Sequence, residues 1–160
     1  MNPTLQGTDN NNISNSYSSS NVRVLKDRGF YGVTLPVTYR NTLNGTGMVN
    51  YFYDPFFIAN RPYQVVSATE RHQVNSGGAN ATLTLAILPS GTAPISGTSV
   101  SSTTFDLSTT ADTDQELPID GPALLATGDA LNLIPHSTVP GFGGFATVSG
   151  VTVQVVLRAV

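Results

Sequence analysis

The sequence predicts an all-β fold: a single antiparallel, jelly-roll-like β-sandwich preceded by an extended polar N-terminal arm. Short segments with apolar residues at alternate positions recur roughly every 10–15 residues, and clusters rich in Gly, Pro, Asn and Asp separate them. No window carries the helical apolar spacing i, i+3, i+4, i+7 over three turns. The length of 160 residues suits one domain. We therefore assign residues 1–21 to the arm and residues 22–160 to the sandwich.

The arm is a low-complexity polar segment. Its second half consists of Asn and Ser except for Ile13 and Tyr17. Such a segment cannot bury enough apolar surface to offset the entropy lost on ordering. We expect it either to be disordered or to become ordered along a partner, with Leu5, Ile13 and Tyr17 as the candidate anchors.

The first predicted strand covers residues 33–39, where every second side chain is apolar. Pro36 has no N–H to donate to a neighbouring strand, so this strand is expected at a sheet edge or at a bulge. The pair Asn44-Gly45 is typical of a tight hairpin turn. Residues 48–53 follow as the next predicted strand, and five of the 13 aromatic residues lie within residues 51–57.

Seven further segments complete the prediction of eight or nine strands. They cover residues 55–58, 63–74, 81–88, 98–107, 115–125, 129–134 and 147–157. Turn clusters separate them at residues 76–78, 89–91, 127–129 and 140–144. The best helical candidate, residues 122–126, is at most one turn long. The number of predicted strands and the length of the segment that contains them both suit an eight-stranded jelly roll.

The composition excludes several classes of protein. The absence of Cys excludes a disulfide scaffold, thiolate zinc sites, iron–sulfur clusters and a catalytic cysteine. Charged residues make up 11% of the chain, against ~25% in ordinary soluble proteins. Thr, Ser, Asn and Gly together supply 63 residues. A surface of hydroxyls and amides suits a particle protein or an extracellular protein that meets other protein surfaces.

The charges are few and unevenly distributed. The net charge of −3 and the pI of about 5.0 argue against nucleic-acid binding, which usually requires a basic patch. Six of the seven cations lie in residues 1–71. Arg23, Lys26 and Arg28 follow the arm closely, and we expect them to contact an acidic partner surface. The alternative is that they protect an edge strand from aggregation.

No membrane association is expected from the sequence. No segment approaches the ~20 apolar residues of a membrane-spanning helix. The first residues are polar and lack the basic start and apolar run of a signal peptide.

No enzyme signature emerges from the two histidines. Strand alternation places Glu70 and His72 on one face, which we interpret as a charged strand face at an interface or sheet edge. His136 is predicted to lie in a loop after a strand. A Ser–His–Asp hydrolase would need a nucleophile on a constrained turn such as Gly-x-Ser-x-Gly, and that motif is absent. We expect no catalysis and no cofactor.

Three acidic residues form the one weak metal-site candidate. In an extended segment the carboxylates of Asp112, Asp114 and Glu116 would project to the same side, and hard cations prefer such oxygen ligands. The EF-hand pattern is absent. The favoured interpretation is a solvated acidic loop without a metal.

The second half of the chain resembles small head decoration (cement) proteins of tailed bacteriophages. The resemblance rests on a strand that ends in a basic cluster, a Thr/Gly/Pro hairpin, a Gly-Asp turn and a Val/Thr-rich final strand. The segments that carry it are residues 66–72, 77–85, 88–98, 105–111, 126–133 and 150–158.

This resemblance implies a β-sandwich that assembles as a homotrimer on the outer surface of the virion capsid. Its implied partner is the major capsid protein, bound at capsomer junctions so that the shell is stabilised. The alternative is a receptor- or glycan-binding head domain of a phage tail fibre or spike. The absence of a shaft repeat favours the decoration protein, and a small all-β hydrolase is a remote third hypothesis.

Overall fold

The computed structural model describes residues 34–77 and 80–160 as two antiparallel five-stranded sheets packed together. The predicted all-β sandwich is thus confirmed. The proposed boundary between residues 21 and 22 lies outside the described residues and stays a prediction. No helix in the described part of the chain is long and apolar enough to cross a membrane.

The described strands fall into two groups by length. Their bounds are β1 Thr34–Asn44, β2 Phe57–Ile58, β3 Tyr63–Arg71, β4 Ala81–Leu88, β5 Thr98–Ser99, β6 Phe105–Asp106, β7 Gln115–Leu117, β8 Leu124–Leu125, β9 Ala130–Ser137 and β10 Ser149–Ala159. Strands β1, β3, β4, β9 and β10 are long, and the other five have only two or three residues. In the part of the chain that the structure describes, one α-helical turn, α1, spans Val49–Phe52. Three 3-10 turns in the same part cover Gly45–Met48, Pro94–Ser96 and Pro140–Phe145.

The first sheet has the order β1-β10-β3-β7, and β8 also pairs with β3. The second sheet has the order β2-β9-β4-β5, and β6 also pairs with β4. Among the described strands β1 pairs only with β10 and is therefore an edge strand, as Pro36 predicts, because proline has no N–H to donate to a neighbouring strand.

The core lies between the sheets and is built from their inward-facing side chains. The second sheet contributes Leu83, Leu85, Leu131 and Leu133, and the first contributes Val151, Val153, Val155 and Leu157, all fully buried. Strand alternation explains the pattern, because every second residue of β4, β9 and β10 points to the same side.

An aromatic cluster packs at one edge of this core. The ring of Phe52 lies 5.6 Å from that of Tyr39 and 5.9 Å from that of Phe145, measured between centroids. Burial raises the pKa of the Tyr39 hydroxyl to about 12, although Asn41 Nδ2 donates a hydrogen bond to it at 3.1 Å.

The predicted hairpin after β1 and the strand at residues 48–53 are wrong. Gly45 does adopt the left-handed conformation expected of a turn, with φ of 68°. The chain then enters the 3-10 turn and α1, which buries Val49 and Phe52 on one side. An i, i+3 pair suits a helical turn better than a strand, and β1 pairs with β10 instead.

Other differences concern the ends and interiors of segments. The predicted strands at residues 98–107 and 115–125 are extended only near their ends, and loops occupy their middles. The helical candidate at residues 122–126 contains strand β8 instead, because Leu124 and Leu125 pair with β3.

A β-bulge in β3 decides which side chains point into the core. The register between β3 and β10 shifts by one residue at Val66. Before the bulge Tyr63 and Val65 are buried, whereas beyond it Glu70 and His72 are buried. Without the extra residue strict alternation would have pointed both of these polar side chains outward.

Candidate functional site

A sealed polar cluster lies where β3 ends. Glu70 and His72 are 1% and 0% exposed. His72 Nδ1 lies 3.2 and 3.3 Å from the two carboxyl oxygens of Glu70, and His72 Nε2 lies 3.2 Å from the carbonyl oxygen of Thr109. The earlier interpretation of these residues as a charged face at an interface or sheet edge is wrong, because the bulge turns them inward.

Gln115 of β7 completes this cluster. Its Nε2 donates to Glu70 Oε2 at 2.7 Å and to the Asp106 carbonyl oxygen at 2.9 Å. Its Oε1 accepts from the backbone N–H of Asp106 at 3.0 Å. One amide side chain thereby connects β3, β6 and β7.

The hydrogen bonds place the protons of the cluster. A carbonyl oxygen only accepts, so the contact with Thr109 requires a hydrogen on His72 Nε2. One further proton lies between His72 Nδ1 and the Glu70 carboxyl, since two groups that both only accept could not lie at hydrogen-bond distance. Burial raises the pKa of Glu70 to about 7, although contacts with His72 and Gln115 act in the opposite direction. The carboxyl therefore keeps its proton until near-neutral pH.

This geometry holds a loop against the end of β3. The backbone N–H of Asp112 donates to the carbonyl oxygen of His72 at 2.8 Å, which adds to the contact at Thr109. The segment between β6 and β7 is thereby tied to β3 at two points. His136 lies elsewhere, exposed within β9, because that strand extends past the predicted end at residue 134.

The acidic triplet is not arranged as the sequence suggested. Asp112 has a φ of 58°, so the chain is not extended through it. Asp114 Oδ1 instead lies 2.7 Å from Arg71 Nε in an exposed ion pair, and Glu116 is exposed on β7 opposite Thr69. Within residues 34–77 and 80–160, no group of three or more His, Asp or Glu side chains could hold a metal ion.

The candidate partner-binding residues in the first part of the chain lie outside the described residues. These are Leu5, Ile13, Tyr17, Arg23, Lys26 and Arg28. Their roles remain predictions from the sequence.

A second candidate site is the solvent side of the first sheet, which we call the outer face. It presents residues 34, 36, 38 and 40 of β1, residues 152, 154, 156 and 158 of β10, residues 64, 66, 67, 69 and 71 of β3, Glu116 of β7 and Leu124 of β8. Seven of these fifteen side chains are Thr, Ser or Gln, and the others include three arginines and four apolar residues. Sequence analysis missed this surface, although the alternate Thr34 and Thr38 of β1 were a visible signal of it.

The outer face contains a shallow depression of about 240 Å³. Its lining consists of Thr69, Glu70, Arg71, Asp114, Thr152 and Gln154. The Arg71–Asp114 ion pair borders the depression, beside the small side chains of the two threonines. The site is polar and offers both donors and acceptors.

A larger cleft of about 420 Å³ lies between the open edges at β5 and β8. Its two carboxylates already serve turns within the chain. Asp129 Oδ2 accepts from the backbone N–H of Ala126 at 2.8 Å, and Asp120 Oδ2 accepts from that of Ser102. Both carboxylates therefore stabilise loops of the chain itself through these hydrogen bonds.

Comparison with known proteins gives two solved structures and no family. Neither a protein-family model nor a curated protein matches the chain. A chain of the cyanophage Pam1 capsid asymmetric unit aligns with a TM-score of 0.42 and 13% identity, over 96% of this chain and 99% of that one. A chain from the structure of infectious bursal disease virus, Gx strain, aligns with a TM-score of 0.33 and 14% identity, over 80% of this chain and 27% of that one. Both TM-scores lie below 0.5, so neither match assigns a fold family or a function to this chain.

Proposed function

We propose that this chain is a non-catalytic structural protein of a virion, which decorates a bacteriophage capsid and stabilises it. Its partner in this proposal is the major capsid protein, bound at capsomer junctions on the outer surface of the shell. The observation that carries the proposal is the outer face of the first sheet, where hydroxyl and amide side chains lie among three arginines and a few apolar side chains.

The chemistry of this surface suits protein–protein contact. The Thr and Ser side chains of this face lose less rotamer freedom when they become buried than long side chains such as Gln, Lys and Arg do. Their hydrogen bonds can be exchanged for bonds to a partner without the cost of burying an unpaired charge. A rigid sheet below them keeps the surface the same before and after binding.

The outer face of one copy has a smaller area than a standard protein–protein interface. Strand β10 has 11 residues and is therefore ~36 Å long, and three long strands at ~4.8 Å spacing give a width of ~15 Å. The resulting ~500 Å² is less than the ~800 Å² that each partner buries in a standard interface. A homotrimer and an N-terminal arm that lies along the shell would supply the remaining area, and we include both in the proposal.

The decisive experiment is attachment of the purified chain to capsids of the parent virus from which this protein has been stripped. Co-sedimentation with these capsids, and their greater resistance to heat, support the proposal. Binding to host cells with no binding to capsids would reject it and favour the receptor-binding head domain. Sedimentation equilibrium at micromolar concentration tests the trimer, and a stable 16.8 kDa monomer would contradict that part.

Deletion of residues 1–20 tests the arm. We expect the melting temperature to stay the same, because this segment has little apolar surface to bury in a core. Attachment to capsids should weaken. A sharp fall in the melting temperature would instead show that the segment belongs to the sandwich.

Arg23 and Arg28 are tested through salt dependence. If they contact an acidic shell, raising the salt concentration should weaken attachment, since exposed charges are screened over ~8 Å at physiological ionic strength. Replacing both with Ser should flatten this dependence. Equal attachment of variant and parent at low salt would favour their role in protecting an edge strand.

A further inference from the structure

The distribution of arginine within the sandwich marks one surface. Residues 34–77 and 80–160 contain four arginines, and three of them, Arg40, Arg71 and Arg158, lie on the outer face. The same residues contain eight carboxylates, of which only Asp114 and Glu116 lie on or beside this face. The described residues, which contain twice as many acids as cations, thus have one face where cations prevail.

The strand register fixes the spacing of these arginines. Arg40 lies opposite Thr152, and Thr152 lies opposite Arg71, so the two arginines are two strands and ~10 Å apart. Arg158 lies six residues further along β10, at ~20 Å. Arg71 donates a hydrogen bond from Nε to Asp114 Oδ1. Within the described residues the other N–H groups of this guanidinium contact no acceptor. They can therefore bind a carboxylate of another molecule.

An apolar band lies between the two groups of arginines. Pro36 of β1 pairs with Val156 of β10, and the bulge residue Val66 of β3 lies next to them with 44% of its surface exposed. Leu124 of β8 continues the band at 53% exposure. Apolar residues at the centre with polar residues around them are typical of protein–protein interfaces.

Charge selects the kind of partner. Three arginines offset by two carboxylates give this face too little net positive charge to bind a nucleic acid. The phosphate backbone of a nucleic acid typically engages several cations at once. A twofold contact of the outer face with itself would bring the same arginines together, which is unfavourable. The chemistry that fits is a different protein surface, apolar in the middle and acidic at both ends.

We infer that the outer face is the docking surface for the shell, with Val66 and its neighbours at the centre and Arg40, Arg71 and Arg158 as contacts for shell carboxylates. This inference rests on the proposed function and deepens it. It also gives the bulge in β3 a second role, because the extra residue that turns Glu70 inward places Val66 on the outside.

The test uses the full chain, stripped capsids and two matched pairs of variants. Val66→Asp changes the apolar band, and Ile95→Asp makes the same change at a 67% exposed position in the 3-10 turn before β5. Arg40→Gln removes a cation of the outer face, and Arg61→Gln removes the one arginine of the described residues that lies outside it. Val66, Ile95 and Arg40 are exposed, so the melting temperatures of their variants should stay close to that of the parent. Arg61 Nε also donates a hydrogen bond to the Tyr63 hydroxyl at 3.3 Å, so Arg61→Gln is compared with the parent at a temperature well below both melting transitions.

We expect Val66→Asp to weaken capsid binding more than tenfold and Arg40→Gln to weaken it about fivefold at low salt. The two control variants should bind within twofold of the parent. Parent-like binding by both Val66→Asp and Arg40→Gln would overturn the docking surface and leave the proposed function standing. Failure of the parent chain to bind capsids would reject both. Loss of self-association in Val66→Asp with unchanged capsid binding would overturn the inference in favour of a subunit interface.

Discussion

Replacing Glu70 with Gln should remove a pH dependence of stability that the buried cluster creates. Between pH 4.5 and about 7 the folded protein holds a proton on Glu70 that the unfolded chain has lost. The free energy of unfolding therefore falls as the pH rises through this window and levels off above it. The groups that face this carboxyl are His72, Gln115 and, at longer range, Asp114.

The magnitude follows from the two pKa values. A carboxyl with a pKa of 4.5 in the unfolded chain and about 7 in the folded protein makes the protein about 3 kcal/mol less stable at pH 8 than at pH 4. In Glu70→Gln the new amide N–H donates to His72 Nδ1, and its oxygen accepts from Gln115, so both contacts remain without an ionisable group. The variant should equal the parent at low pH and exceed it by about 2–3 kcal/mol at pH 8.

Urea unfolding followed by circular dichroism at pH 4.5, 6.5 and 8 measures this difference. Groups distant from Glu70 titrate alike in both proteins, so subtraction isolates Glu70 together with its direct partner His72. Glu116→Gln makes the same chemical change at an exposed position of β7 and should stay within about 0.5 kcal/mol of the parent throughout. A difference between Glu70→Gln and the parent that is the same at all three pH values would refute the proton placement.

Three further predictions concern packing and ionisation. Phe52→Ala should lower the free energy of unfolding by about 3–5 kcal/mol in the same assay, because it empties a fully buried site in the aromatic cluster. Gly97→Ala should destabilise by about 1–3 kcal/mol, since its Cβ would lie 2.9 Å from that of Ala86, whereas Gly47→Ala meets no atom within 4 Å and should be nearly neutral; equal melting temperatures would contradict this. Spectrophotometric titration should find the Tyr39 hydroxyl still protonated at pH 11, and its loss in Tyr39→Phe should remove the transition near pH 12.

The parts of the fold that the sequence predicted well are those in which alternation alone decides the structure. The segment 81–88 coincides with β4, since its apolar residues face a second sheet over their whole length. The edge position of β1 follows from Pro36, whose missing N–H excludes a central strand. In both cases local chemistry and the tertiary environment favour the same outcome.

The remaining differences between the prediction and the structure arise where contacts with residues distant in sequence determine the local conformation. Nothing local to residues 48–53 reveals that Phe52 must reach Phe145, a partner far along the chain, and this contact favours a helical turn. Likewise, the extra residue at Val66 has no signature in the sequence, because Val is as common in regular strands as at bulges.

The same limit applies to the polar cluster. Alternation correctly placed Glu70 and His72 on one face, but it could not say which face. Gln115 lies 45 residues from Glu70 in sequence, so its part in the cluster appears only when β7 pairs with β3. The outer face was missed for a related reason, since it combines residues from five strands.

The position of β10 in the first sheet has a consequence for the order of events during synthesis. This strand pairs with β1 on one side and β3 on the other, so Thr34 finds its partner only when Arg158 has been made. Strands β1 and β3 do not pair with each other, and β1 meets its partner only after every strand of the second sheet has been added. Such long-range pairing is slow, because loop closure precedes the contacts that stabilise it. A nascent chain therefore cannot complete the outer face until β10 emerges. Under the proposed function, an incomplete chain would then be unable to dock on a shell.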